Sequence, residues 1–263
     1  MNTNTAITGC TSLLTNATSA FATLSTNATS PKFTSAQVKS TLGNLCSSSV
    51  SDACPTNLVG GIATAFYAAC SVELTSNPND VVVNIYDTLY IIIPLLDAIC
   101  TLDDGGNYCS MQAKLPSSTT GTSLQKVLSS PSSANSAALI PNTTTFHNTN
   151  LPFLFLDPSA NATSLCNVCT RKVVNAYVTF EASVPYGPGL GKSPLLSSQL
   201  SLYTDIQKTC GSSFLDSAGV VKAAGGLSGG TLSSGATAQT NGPTQGLVAI
   251  GMGILALVAS SVL

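Results

Sequence analysis

Charge is what this chain has least of. Lys and Arg number 9 and Asp and Glu 11 in 263 residues, 8% charged in all, against roughly 25% in an average globular protein. The net charge of −2 leaves no basic field for a phosphate backbone, which excludes nucleic acid as a partner. Tryptophan is absent and histidine occurs once, at His147. One imidazole cannot furnish a multi-histidine metal centre, and as a general base it would need a serine or cysteine partner that no motif supplies. His147 is read instead as an exposed residue of the polar loop "TTTFHNTN". The D-x-D-x-D-G alternation that wraps calcium is also missing, so the adjacent Asp103 and Asp104 are read as turn residues. Asp80, Asp87 and Asp97 make no convincing acid–base pair. No catalytic residue, metal or cofactor is assigned.

Ser, Thr and Asn supply the polar surface instead, under a mean hydropathy of +0.34. Four N-x-[ST] sequons stand at Asn16, Asn27, Asn142 and Asn161. They permit N-glycosylation if the chain enters the secretory pathway. The same compartment would oxidise the nine cysteines. The spacing suggests local bridges, Cys100–Cys109 across the turn "TLDDGGNY" and Cys46–Cys54. Cys70, Cys166, Cys169 and Cys210 complete the set of disulfide candidates. "CNVC" (Cys166–Cys169) has redox and zinc readings. A thioredoxin-like site needs a preceding strand and a helix N-terminus, and zinc needs two more ligands nearby. Two cysteines on one helix face, each bridging to another element, is the favoured reading. "GLSGG" (Gly226–Gly230) matches the G-x-S-x-G elbow at Ser228. It lies in a Gly/Ser linker without the strand and helix that an elbow requires.

The C-terminal "GLVAIGMGILALVASSVL" (Gly246–Leu263) is uncharged, with nine Leu, Ile or Val among eighteen residues. These favour bilayer insertion by roughly 3–5 kcal/mol before Gly and Ser subtract from it. A permanent span needs ~20 residues and usually basic flanks, which are missing here. The upstream "SSGATAQTNGPTQ" offers small residues, then a polar spacer, which is the pattern of a glycosylphosphatidylinositol (GPI) signal. Ser234 is the expected attachment residue, with Ser233 and Gly235 as alternatives; a retained tail anchor is the competing reading. A GPI signal is read in the secretory pathway, so a leader of about twenty residues is expected upstream of Met1, whose neighbourhood shows none.

Helical periodicity dominates the rest. Val38, Leu42 and Leu45 place a helix over Ser35–Cys46, and Ile62, Phe66 and Cys70 one over Asn57–Leu74. Asp80 is expected to cap "VVVNIYDTLYIIIPLLDAIC", a helix kinked or broken near Pro94. Lys114–Asn150 reads as a loop and Leu151–Pro158 as extended. Leu165–Ala182 and Leu195–Cys210 read as helices around the turn "VPYGPGLGKSP". The expected fold is all-α: a disulfide-stapled helical domain over residues 1–215, a Gly/Ser/Thr linker over 216–245 and the apolar segment 246–263.

Three stretches, "YDTLYIIIPLLDAICTLDDGGNYC", "LCNVCTRKVVNAYVTFEASVPYGPGL" and "LYTDIQKTCGSSFL", together resemble an uncharacterised family of fungal cell-surface proteins, a domain of unknown function. The C-T-x-D-x-G-N-Y-C and C-x-x-C-T-R patterns carry the resemblance over roughly residues 5–230. It implies a secreted, largely helical protein with a GPI signal, and it brings no activity. Relatives often have a second cysteine after the counterpart of Cys10, so Cys10 is the expected free thiol. The expected role is non-enzymatic: a GPI-anchored glycoprotein of the plasma-membrane face or cell wall, structural, adhesive or protective, with wall polysaccharide or protein partners. The alternative is a module for a lipid, sterol or other small apolar ligand walled by Val81–Leu96.

Overall fold

Among the described residues, the most apolar long segment, Val81–Cys100, becomes a helix rather than a strand, and the core of the domain packs around it. The computed structural model describes residues 5–22, 34–113, 129–131 and 139–216. The expectations for Asn27, Ser228, Ser233, Ser234, Gly235 and the segments 217–245 and 246–263 lie outside the described residues. In chain order the helices are α1 (Thr5–Ala22), α2 (Ser35–Leu45), α3 (Ser48–Ala53), α4 (Thr56–Ala69), α5 (Ser71–Leu74), α6 (Asp80–Cys100), α7 (Thr143–Thr149), α8 (Ala162–Leu165), α9 (Val168–Ser183), α10 (Gln199–Cys210) and α11 (Ser213–Asp216). Short 3₁₀ turns occupy Cys109–Gln112, Leu151–Phe153 and Leu190–Lys192. Among the described residues, the strands are an antiparallel pair, β1 (Ser129–Pro131) with β2 (Leu139–Pro141), in register Ser130↔Ile140.

Local chemistry sets the helix ends. Thr34 and Gln37 form a reciprocal capping box before α2, and Val38, Leu42 and Leu45 are buried as their spacing predicts. Helix α6 starts one residue earlier than expected. Its cap is Asn79, not Asp80, and Asn79 Oδ1 accepts from the backbone N–H of Val81 at 3.0 Å and Val82 at 3.3 Å. Asp80 sits in the first turn, where its charge favours the helix dipole. Pro94 does not break α6, which continues to Cys100. The proline forfeits one backbone bond, but burial of Leu89 to Leu96 holds the helix together on both sides of it. By length and composition α6 could cross a membrane, yet most of it is buried in the domain. It packs along α4 and α9. Rings line these contacts, with Phe66 5.9 Å from Tyr86 and Phe180 5.1 Å from Tyr90, centroid to centroid.

Most of Val81–Leu96, the expected wall of an apolar-ligand module, is buried in the domain core. The apolar cavity beside Leu89 and Ile92 measures about 20 Å³, far below the roughly 300 Å³ at which ligand pockets begin. Other segments break more often than their periodicity suggests. Asn57–Leu74 divides at Cys70, and Leu165–Ala182 divides at Cys166 and Asn167. The last expected helix begins at Gln199 rather than Leu195, and the stretch read as a loop contains β1, β2 and α7.

Four disulfides staple the domain: Cys10–Cys54, Cys46–Cys100, Cys109–Cys169 and Cys166–Cys210. Cys10 is therefore not the free thiol. Cys70 is. Neither expected local pair forms. The bridges span 44 to 60 residues, and each long loop is worth about 4 kcal/mol taken singly on chain entropy, about 1.5 kcal/mol more than a bridge across eight residues. The pairings also divide the domain. Two bridges lie within residues 10–100 and two within 109–210, and none crosses between the halves. The halves are joined by packing and by hydrogen bonds from α6.

Candidate functional site

Two features depart from routine helix packing: a buried polar joint at the domain centre and a cleft at its side. The joint begins with Asp87, fully buried on α6. Tyr186 Oη donates to Asp87 Oδ1. Ser193 Oγ donates to Oδ2 at 2.7 Å, and the Leu195 N–H to the same oxygen at 3.0 Å. Burial pushes the Asp87 carboxyl up to about 6, and these donors hold it from rising further. Tyr90 Oη donates to the Val184 carbonyl at 2.5 Å, and the Gly187 N–H to Tyr86 Oη at 3.2 Å. Gly187 is required here, because a Cβ at that position would stand 2.6 Å from the Tyr67 ring. The turn "VPYGPGLGKSP" is thus strapped onto α6 residue by residue.

Glu181 on α9 is also fully buried. Gln199 Nε2 donates to Glu181 Oε2 at 2.6 Å and to Tyr203 Oη at 2.9 Å, while Glu181 Oε1 and Gln199 Oε1 have no protein partner. Burial pushes Glu181 up to about 8 against that single amide donor. It is neutral at pH 7. The two carboxylates have perturbed acidity but belong to separate hydrogen-bond networks, and neither reaches solvent. They act as joints of the core.

The cleft measures about 770 Å³, inside the roughly 300–1,000 Å³ typical of ligand sites. One wall comes from "NLPFLFLD". Asn150, Leu154 and Phe155 all adopt left-handed backbone, with φ of 50°, 52° and 59°. Asparagine tolerates this conformation. Leucine and phenylalanine do so at a cost of about 1–2 kcal/mol each. Asn150 organises the turn: its carbonyl accepts from the N–H of Phe153 at 2.9 Å and of Phe155 at 3.0 Å, and its Nδ2 donates to the Leu156 carbonyl at 3.0 Å. The strained pair is offset by burial. Leu151, Phe153, Leu154 and Phe155 all face the core, at about 1.5–3 kcal/mol per side chain. An extended segment would turn alternate residues outward, which is why the expectation for Leu151–Pro158 fails.

The opposite wall is α8 and the start of α9, with the Cys109–Cys169 bridge beside it. Asn161 caps α8, its Oδ1 accepting from Ser164 N–H at 3.0 Å. Asn167 caps α9 through Thr170 N–H at 3.0 Å. Among the described residues, Asp157 is the one charged residue on the cleft lining. Its carboxylate is engaged by Ser159 through the N–H at 2.9 Å and Oγ at 2.7 Å. The remaining surface offers amides (Gln112, Asn148, Asn167) and hydroxyls (Thr163, Ser164) over Leu156, Ala160 and Val173. Such a surface suits a neutral ligand with both hydroxyl and apolar faces.

The residues singled out in the sequence are scattered. His147 is exposed near the end of α7, its Nδ1 3.2 Å from Asn148 Oδ1, and it does not line the cleft. Asp103 stands in an exposed turn, where the backbone N–H groups of Asn107 and Gly105 and the side chains of Asn107 and Gln112 hold its carboxyl low. Cys166 and Cys169 bridge to different elements, Cys210 on α10 and Cys109 on the first 3₁₀ turn. Asn16 and Asn161 are exposed, and Asn142, half-buried, caps α7 through Thr145 N–H. The buried acids were missed. The available signal was a carboxylate inside each apolar run, "IYDTLYIII" and "YVTFEASV". No family model, curated protein or solved structure matches this chain.

Proposed function

We propose that this chain is a non-enzymatic glycoprotein of the fungal cell surface, held at the plasma membrane or wall by a GPI anchor added near Ser234. Its role is structural, adhesive or protective. The observation that carries the reading is the cysteine geometry: eight of the nine cysteines meet in four long-range bridges. Such a network needs an oxidising compartment to persist. The non-catalytic part is supported by the placement of Asp87 and Glu181, whose perturbed carboxyls are sealed from any substrate. The exposure of Asn16 and Asn161 is consistent with sugar at those sequons.

The test is expression of the full chain behind a secretory leader in a fungal host, followed by phosphatidylinositol-specific phospholipase treatment of intact cells. The expected result is release of a glycosylated protein whose C-terminal peptide ends close to Ser234. A protein that stays in the membrane with residues 246–263 intact would replace the GPI reading with a retained span. A protein recovered with reduced thiols and no sugar would remove the surface reading altogether.

A further inference from the structure

The cleft and one of the sequons adjoin: Thr163 lines the cleft and Asn161 does not. Ala160, Thr163 and Ser164, the near neighbours of Asn161, all line the cleft, while Asn161 itself is exposed at its edge. The Asn161 side chain is also oriented. Its Oδ1 is held by the Ser164 N–H, which leaves Nδ2 as the free end. We propose that the cleft is the seat of the protein's own Asn161 glycan, whose first two N-acetylglucosamine residues lie along it. The inference rests on the secretory reading above.

The covalent step is ordinary. Asn161 Nδ2 loses one proton and forms a bond to the anomeric carbon of an oligosaccharide. The bond from that carbon to a polyprenyl pyrophosphate carrier breaks, and the carrier leaves as the pyrophosphate. Oδ1 takes no part in the new bond, so the cap on α8 survives the modification.

The lining matches that occupant. N-acetylglucosamine is uncharged, with hydroxyl and acetamide groups on its edges and C–H groups on its faces. The cleft offers amide and hydroxyl side chains around a floor of Leu156, Ala160 and Val173, and Asp157 is already engaged by Ser159. Free sugars bind such surfaces weakly. A sugar tethered at the rim needs little affinity, because attachment supplies an effective concentration on the order of millimolar. The strained turn at Leu154 and Phe155 gives the glycan a purpose. A seated sugar would cover the segment in which two bulky residues hold left-handed backbone.

The experiment uses the full secreted chain and compares three forms by amide hydrogen exchange: the glycoprotein, the same protein after peptide-N-glycosidase F, and T163A, which never receives the sugar. The glycosidase converts Asn161 to Asp, which still caps α8, so any change reports the sugar rather than the cap. T163S keeps the sequon and serves as the control for substitution within the lining. Exchange across residues 150–157 is expected to accelerate about tenfold in both sugar-free forms, through easier local opening, and to stay slow in T163S. Removal of the Asn16 and Asn142 glycans alone, in N16Q/T144A, which keeps the Asn142 cap on α7, should leave that segment slow. Unchanged exchange after removal from a fully occupied Asn161 overturns the inference and leaves the surface reading intact. An unoccupied Asn161 in a protein glycosylated at Asn142 also overturns it alone. No sugar at any sequon overturns both.

Discussion

Glu181 is a weaker acid in the folded protein than in the unfolded chain, and this has a measurable consequence. Its carboxyl rises from an ordinary 4.5 to about 8 in the fold, because it is buried with Gln199 as its one side-chain donor. The folded state therefore binds a proton that the unfolded state releases. The resulting stabilisation is fully present below pH 4.5 and disappears as pH climbs through about 8. Between pH 5 and pH 8 the loss amounts to about 3–4 kcal/mol. For a domain of this size that corresponds to a fall in Tm of about 7–15 °C. Asp87, raised to about 6, adds about 1–2 kcal/mol over the same interval with the same sign. The perturbation is Glu181→Gln, which keeps the shape and removes the titration. The assay is urea denaturation of the oxidised protein at pH 5, 6, 7 and 8, followed by near-UV circular dichroism of its tyrosines. Wild type should lose stability steeply toward pH 8, and E181Q should retain only the shallower slope due to Asp87. Parallel slopes for the two proteins would refute the claim that Glu181 is protonated in the core.

Asp87→Ala leaves the Tyr186 and Ser193 hydroxyls without their acceptor and the Leu195 N–H with Ser193 Oγ alone, at 3.3 Å. A loss of about 3–5 kcal/mol is expected. No bridge crosses between the halves, so urea should then separate them in two steps; one sharp transition with an unchanged m value would show that Asp87 is not the joint. Cys10→Ser should cost about 3–4 kcal/mol and leave Cys54 open to alkylation. Cys70→Ser should change stability by less than about 0.5 kcal/mol. Peptide mapping that finds Cys70 in a bridge would reverse both expectations. Gly187→Ala drives a methyl into the Tyr67 ring and should cost about 1–3 kcal/mol by thermal melting; a neutral result would mean that the turn is not pressed onto α6.

The cleft was illegible in the sequence because its two walls have unrelated signals. One wall is an apolar run, short and bounded by prolines, that reads as extended, and Asn150 folds it into a left-handed turn through three backbone and side-chain hydrogen bonds. The other is the short capped helix α8 and the capped start of α9, separated at Cys166 and Asn167. The Asn161 sequon was visible. Its place beside the first wall depends on the chain folding back over the Cys109–Cys169 bridge. The cysteine pairing was hidden for a related reason. Short spacings made Cys46–Cys54 and Cys100–Cys109 look closest, but consecutive helices carry their ends apart, and the packing of α2 on α6 brings Cys46 to Cys100.

Local information was enough for the helical class, for the amphipathic faces of α2 and α4, and for the helical nature of α6, because periodicity and capping act over a few residues. The kink or break expected near Pro94 was also a local inference, and the break does not occur, because burial outweighs one lost hydrogen bond. Which cysteine is free, which acids are buried and where the cleft opens depend on contacts between residues 18 to 108 positions apart. Those contacts are settled by which helix faces can be buried together. A single residue's type or its neighbours' spacing carries no record of that choice.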